Sequence, residues 1–137
     1  MNGPHQQAVV RYAQFVSGLF LLLGAIGLLK SHFDGFTSSE GFQLFGMRMS
    51  PLTAVIQFVV GLVGVAMALS LEGARRFALL VGVVGVPFAL LEFAFGDSSA
   101  DIFGRDTRIA LLQLAVALLG LALAWWSRPA QAASPAP

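Results

Sequence analysis

Four long apolar runs, separated by short charged stretches, constrain this chain more than any other feature of its sequence. The runs lie at about 10–30, 51–71, 76–96 and 108–127. Each has about 20 residues, which is enough for a helix to cross the ~30 Å hydrocarbon core of a bilayer. A helix is the expected structure because it pairs its own backbone groups, which lipid cannot do.

The composition supports the same prediction. Apolar residues make up 57% of the 137 residues and charged residues 11%, against about 45–50% and ~25% in soluble domains. The mean hydropathy is +0.81. A soluble domain of this size leaves too much of its surface exposed to hide that excess. The sequence therefore predicts an all-α integral membrane protein with four transmembrane helices.

Charge and chemistry exclude several function classes. The net charge of +1 provides no basic surface for nucleic acid. The chain has no Cys, and its two His residues, His5 and His32, lie in different segments. No nucleophile–base pair or set of metal ligands stands out in the sequence. We therefore expect no cofactor, no bound metal and no enzymatic activity.

Four spans would place both termini on one side of the membrane. The predicted transmembrane domain covers 1–127, and the Pro- and Ala-rich tail, 128–137, is expected to be disordered. Lys and Arg divide equally between the two sides. Arg75 and Arg76 lie in a short turn, and Arg128 follows two Trp residues, which favours cytoplasmic termini. The excess of Arg over Lys is typical of GC-rich bacteria, so the bacterial inner membrane is the expected location.

The second and fourth spans resemble each other in sequence. Residues 57–69 align without gaps to 113–125, and six of the thirteen positions are identical. These comprise Gln57/Gln113, Val60/Val116, Leu62/Leu118, Gly64/Gly120, Ala66/Ala122 and Ala68/Ala124. A duplicated helical hairpin would explain the match, with an axis along the membrane normal. Chance matching between apolar helices is the alternative.

Small residues recur at intervals of four within the spans. Such spacing lets helices approach closely in lipid, either within one chain or between two copies. We predict helix packing at three pairs: Gly64 and Ala68, Gly120 and Ala124, and Ala78 and Gly82.

Three polar residues are predicted to lie within the spans at similar depth. Glu92 lies near the end of the third span, and Gln57 and Gln113 lie near the starts of the second and fourth. If they converge, the group is either a proton- or ligand-binding site or an interhelical polar contact that only stabilises the bundle. Glu92 could also extend to the interface. Pro87 is expected to kink the same helix.

The stretch from Leu44 to Gly64 resembles a bacterial family of four-span membrane proteins known only as a domain of unknown function. Members carry a pattern close to Asn-Pro-Leu-His-Asn-x-x-His-Leu-x-x-Gly at the start of the second span. Pro51, Leu52 and Gly61 match that pattern here. The resemblance implies the four-span fold and no particular activity.

This chain departs from the family pattern at its polar positions. Ser50, Thr53 and Ala54 replace the Asn and the His-Asn pair. Gln57 stands where the second His would be, and Gln113 where a fourth-span His would be. Glutamine neither titrates nor ligates metals well, so a metal, haem or proton role of those histidines does not transfer.

Two functions remain open from the sequence. The first is a structural or accessory subunit that interacts with copies of itself or with a larger membrane assembly, surrounded by lipid. The alternative is a small proton-coupled transporter or a binder of lipophilic ligands that uses Glu92, with Gln57 and Gln113 as hydrogen-bonding partners.

Overall fold

The computed structural model describes residues 3–31, 42–44, 47–49, 51–94 and 107–128. These ranges contain four helices and one short antiparallel hairpin: α1 (Pro4–Ser31), β1 (Phe42–Leu44), β2 (Met47–Met49), α2 (Pro51–Met67), α3 (Leu71–Ala94) and α4 (Thr107–Trp126). The predicted helical architecture is confirmed, whereas the hairpin was not predicted. The tail that the sequence predicts to be disordered lies, after Arg128, outside the described residues.

Two helices in the described ranges are long and apolar enough to cross a membrane. They cover Pro4–Lys30 and Leu71–Ala94, with mean hydropathies of 1.9 and 2.2. The apolar helices Pro51–Met67 and Ala110–Trp126 are shorter. Only 33% and 22% of the two long apolar windows are buried within the chain. A core helix of a soluble protein would be mostly buried, so these helices present much of their apolar surface outward.

Helix α3 begins at Leu71 rather than near residue 76. Ser70 caps it, because the backbone N–H of Gly73 donates to Ser70 Oγ at 3.0 Å. The short turn that the sequence predicts around Arg75 and Arg76 is therefore part of helix α3, near its start. Glu72 and Arg76 are one turn apart there and form a 3.0 Å ion pair on the surface. The sequence placed the helix start after these charges, although a helix accommodates them as a pair.

The helices run alternately up and down, and they pack mainly as two hairpins, α1 with α2 and α3 with α4. In the first hairpin, Gly24 of α1 lies against the backbone of Phe58 and Gly61 of α2 lies against Leu21. In the second, Gly82 lies against Leu121. A Cβ at any of these glycines would collide with the neighbouring helix, so the close approach depends on glycine.

The six small residues predicted to pack helices are all buried. Gly64 lies against Ser17 of α1 and the ring of Phe77 of α3. Gly120 lies against the carbonyl oxygen of Ala78 in α3. These residues thus contact other helices of the same chain. The other three residues of the predicted set are Ala68, Ala124 and Gly82, and each of them is buried as well.

Hydrogen bonds join α4 to α1 and to α3. The Tyr12 hydroxyl of α1 donates to the carbonyl oxygen of Val116 at 2.6 Å. Gly120 leaves the space that this phenol occupies, because a Cβ there would lie 2.6 Å from the same hydroxyl. At the end of α4, Arg75 Nε of α3 donates to the Ala124 carbonyl at 3.1 Å. A cation suits that position, where the helix dipole is negative.

We expect Gly120→Ala to destabilise the protein by about 1–3 kcal/mol, the usual cost of overpacking. The added methyl group would displace Tyr12 from its hydrogen bond with Val116. The measurement is equilibrium unfolding in mixed micelles of increasing SDS fraction. Gly18→Ala is the matched control, because a Cβ at Gly18 meets no atom within 4 Å. Equal losses of stability in the two variants would contradict the packing described here.

Candidate functional site

A cavity of ≈ 460 Å³ lies between α2 and α3 and reaches α1 and α4. This volume is within the range of ~300–1,000 Å³ typical of small-molecule sites. Fifteen residues line it: Phe20 of α1; Thr53, Ile56, Gln57, Val59, Val60 and Val63 of α2; Phe77, Leu80, Val81, Val84, Gly85 and Phe88 of α3; Gln113 and Val116 of α4. Its walls are almost entirely apolar.

The cavity lies where α2 and α3 pack less closely with each other than the helices within each hairpin do. Phe77 of α3 is 2% exposed and contacts Gly64 of α2 near the turn that joins these helices. Farther from the turn, the lining residues extend to Thr53 on α2 and Phe88 on α3. Glycine contacts hold α1 to α2 and α3 to α4 along their length, whereas the described glycine contact by backbone between α2 and α3, Gly73 against Met67, lies at their turn. A gap between the hairpins follows.

Two glutamines carry the polar character of this cavity. Gln57 is 8% exposed, and Gln113 is partly buried. The Oε1 atom of each is buried and accepts no hydrogen bond from the described residues. An amide oxygen removed from water without a donor costs about 1–3 kcal/mol. Both glutamine side chains thus line the apolar cavity, while their Oε1 atoms are buried beneath its surface without a donor among the described residues.

The two amides lie at the same depth in the bundle. Gln57 and Gln113 are each six residues from the first residue of their helix, or about 9 Å along the axis. Since α2 and α4 run in the same direction, both side chains enter the cavity near the same end. The pair matched by the sequence alignment thus lines one cavity.

Glu92 is half-buried and lies two residues before Ala94, the last described residue of α3. It lies one turn beyond Phe88, a lining residue, and is not among the described residues that line the cavity. The structure therefore brings Gln57 and Gln113 together and places Glu92 beyond the end of their cavity.

The chemistry available in the cavity is limited to hydrogen bonding and apolar contact. Its polar side chains are the two glutamines and Thr53, and none of its lining residues is charged. Across the described ranges, no group of three or more His, Cys, Asp or Glu could hold a metal ion. The site can bind a molecule and orient it, but these side chains provide no acid–base pair.

Thr53 and the aromatic lining residues are the part that sequence reasoning missed. Thr53 lies one helical turn before Gln57, so its spacing was a usable signal for a shared face. Phe20 and Phe88 carried no signal, because apolar residues occupy every face of these helices.

Comparison with known families gives a match over residues 11–126 to a family described as "Domain of unknown function (DUF4383)". The chain belongs to this family. The predicted resemblance to a family of unknown function is confirmed, and the match runs from α1 to the last residue of α4. No curated protein and no solved structure matches the chain. The match thus covers α2, α3 and α4, all of α1 from residue 11 onwards, and every residue that lines the cavity.

In the ligand-free protein, we expect Gln57→Met to preserve stability or raise it by about 1–2 kcal/mol. Methionine has a similar shape and removes an oxygen that has no donor. Gln57→Glu keeps the shape and adds a buried charge, so we expect it to lose about 3 kcal/mol or more. Unfolding of delipidated protein in SDS mixed micelles measures both. A clear loss in Gln57→Met would show that the amide oxygen has a partner.

Proposed function

We propose that this DUF4383 protein is a four-span protein of the bacterial inner membrane that binds a lipophilic small molecule between its two hairpins. The observation that carries the proposal is the otherwise apolar cavity between α2 and α3, whose volume suits a small molecule and whose lining includes two glutamine side chains. Apolar walls favour a lipophilic molecule, and the two amide groups can fix its orientation.

Helix length and exposure support four spans. Helix α2 has 17 residues and α4 has 20, both within the ~17–25 residues of membrane-spanning helices. Large apolar side chains are exposed on every helix, for example Phe15, Val59, Val83 and Leu119. In water, so much exposed apolar surface would drive association. In a bilayer, the same side chains contact lipid.

The packing also supports two repeated hairpins. Gly64 of α2 contacts the first helix of its own hairpin and the aromatic ring of Phe77 from the other. Gly120 of α4 likewise contacts the first helix of its own hairpin and the aromatic ring of Tyr12 from the other. Each hairpin thus inserts one aromatic residue beside the corresponding glycine of its partner. A duplicated unit explains that exchange.

Single-cysteine labelling tests the four spans, because the natural sequence contains no Cys. We expect Leu69→Cys, at a side chain 86% exposed in the α2–α3 turn, and Ala132→Cys to react with an impermeant maleimide from one side. Ser39→Cys should react only from the other side. Right-side-out and inverted vesicles distinguish the two sides of the membrane. If the termini are cytoplasmic, Ala132→Cys should react in inverted vesicles.

Each outcome of this labelling identifies a particular helix. If α2 does not cross, Leu69→Cys will react from the same side as Ser39→Cys. If only α4 fails to cross, Ala132→Cys will react from the same side of the membrane as Ser39→Cys. Either result would overturn the four-span proposal.

We favour ligand binding over an accessory role because the six small residues predicted to pack helices are buried within this chain. The accessory-subunit hypothesis rested on small-residue faces, and the six residues concerned are buried inside this chain. Proton coupling through Glu92 is also less well supported, since that side chain does not line the cavity. We therefore propose binding rather than proton-coupled transport.

Photolabelling in phosphatidylcholine vesicles tests binding. A diazirine-bearing lipophile should crosslink to peptides of α2 and α3 that line the cavity, and Val81→Phe should reduce this labelling at least about fivefold by filling the space. Val83→Phe is the control of equal size, because Val83 is exposed and does not line the cavity. We expect Val83→Phe and Glu92→Gln to label like the natural protein.

Two results would contradict the binding proposal. Equal labelling of the Val81→Phe and Val83→Phe variants would mean that the probe reports only contact with bulk lipid. A sharp loss in Glu92→Gln would return that acid to the site and favour the transporter alternative.

A further inference from the structure

We propose that the end of the bundle where α4 finishes binds the phosphate groups of anionic phospholipids. Arg75 of α3, Trp125 and Trp126 at the end of α4, and Arg128 just after it form this arginine–tryptophan surface. The inference rests on the four-span arrangement proposed above and is independent of what the cavity binds. Anionic headgroups share their phosphate chemistry with soluble phosphate esters, and the membrane lipid is the source that we infer.

The charges of the chain are distributed unevenly between the two ends of the bundle. The net charge is only +1. Among the described residues, one acid, Glu72, and four arginines lie at the end where α1 begins and α4 finishes: Arg11, Arg75, Arg76 and Arg128. Arg76 pairs with Glu72 at 3.0 Å. Five of the seven acids occur in the sequence between α1 and α2 and between α3 and α4. The end with the arginine–tryptophan surface therefore attracts anions.

Arg75 is held at this surface by one nitrogen atom of its guanidinium group. Its Nε donates to the carbonyl oxygen of Ala124, in the last turn of α4, at 3.1 Å. Its Nη atoms make no hydrogen bond to the described residues, so four of its five N–H donors remain available. A guanidinium presents its donors in a fixed fork that matches the oxygens of a phosphate group.

Arg128 is held against the same turn of α4 by stacking. Its Cζ lies 3.5 Å from the centre of the Trp125 ring. Stacking uses the face of the guanidinium and leaves the N–H groups at its edge accessible to an acceptor. Ala124 and Trp125 are adjacent in the chain, so both arginines contact the last turn of α4. A cation that is already held in place loses less conformational freedom on binding than a mobile one.

The tryptophans place this surface at the level of the lipid headgroups. Trp125 and Trp126 are 61% and 63% exposed, and exposed tryptophan is typical of the membrane–water interface. Arg75 lies four residues from the start of α3, or about 6 Å along its axis. From that depth in a four-span bundle, an arginine side chain reaches the interface. The arginines and the lipid phosphates therefore occupy the same layer.

The positive charge of the surface decides between classes of lipid. A zwitterionic headgroup such as phosphatidylcholine brings a cation, which the arginines repel, whereas phosphatidylglycerol brings only the phosphate charge. Each arginine near an anionic membrane surface strengthens binding by about fivefold. A soluble phosphate ester has the same charge, but it has no acyl chains to contact the exposed indole rings.

Quenching of tryptophan fluorescence by brominated lipids tests the proposal, because the chain contains two tryptophans and both lie on this surface. The full chain is reconstituted in vesicles of phosphatidylglycerol and phosphatidylcholine in equal amounts, and one lipid at a time carries bromine close to its glycerol group. We expect brominated phosphatidylglycerol to quench more strongly, because it is enriched beside the tryptophans. Arg75→Gln and Arg128→Gln should each reduce this preference, by up to about fivefold.

Arg108→Gln is the matched control, since it removes the same charge from an exposed side chain at the opposite end of α4. We expect it to keep the preference of the natural protein. If Arg75→Gln loses stability, Arg128→Gln still decides the test, because Arg128 is exposed and lies beyond the last residue of α4. An excess of glycerol 3-phosphate at constant ionic strength should leave the quenching unchanged.

Three results would overturn the inference while leaving the four spans intact. Equal quenching by the two brominated lipids would mean that the surface does not select anionic headgroups. An equal loss of preference in Arg108→Gln would assign the effect to the overall charge of the chain. Reversal by glycerol 3-phosphate would assign the surface to a soluble ester. If neither brominated lipid quenches, the tryptophans lie away from the membrane, and the four-span proposal fails together with this one.

Discussion

Close contact between helices at glycine holds each hairpin together, and the rest of the structure depends on where such contact is missing. Gly24 and Gly61 bring α1 and α2 into backbone contact, and Gly82 brings α3 against α4. Between the hairpins, the ring of Phe77 lies against Gly64, and α2 and α3 otherwise pack loosely. Tight packing within the hairpins and looser packing between α2 and α3 leave the cavity as the remaining volume.

The sequence predicted the helices well, and the expected depth of the glutamines follows from the same helical geometry. Apolar runs of span length have few alternatives to a helix, and Pro51 suits a first helical turn. The depth of Gln57 and Gln113 follows from counting residues along a rigid helix. The start of α3 escaped prediction because a capping hydroxyl on Ser70 and a surface ion pair together allow charged residues to remain helical.

The cavity could not be predicted, because it depends on contacts between residues distant in sequence. Whether a gap remains between α2 and α3 depends on how side chains such as Phe77 pack against the facing helix, which is a tertiary property. The sequence places Glu92 at a depth similar to that of the two glutamines, and depth cannot tell which residues share a wall.

The hydrogen bond from Tyr12 to the Val116 carbonyl has a consequence for the rotation of α4 about its own axis. That helix is apolar on every side, so side-chain hydrophobicity does not select which face turns inward. The phenol, seated where Gly120 has no side chain, selects one angular setting. Gln113 lies three residues before Val116 on nearly the same face. A tyrosine in the first helix thereby sets the direction of an amide in the last.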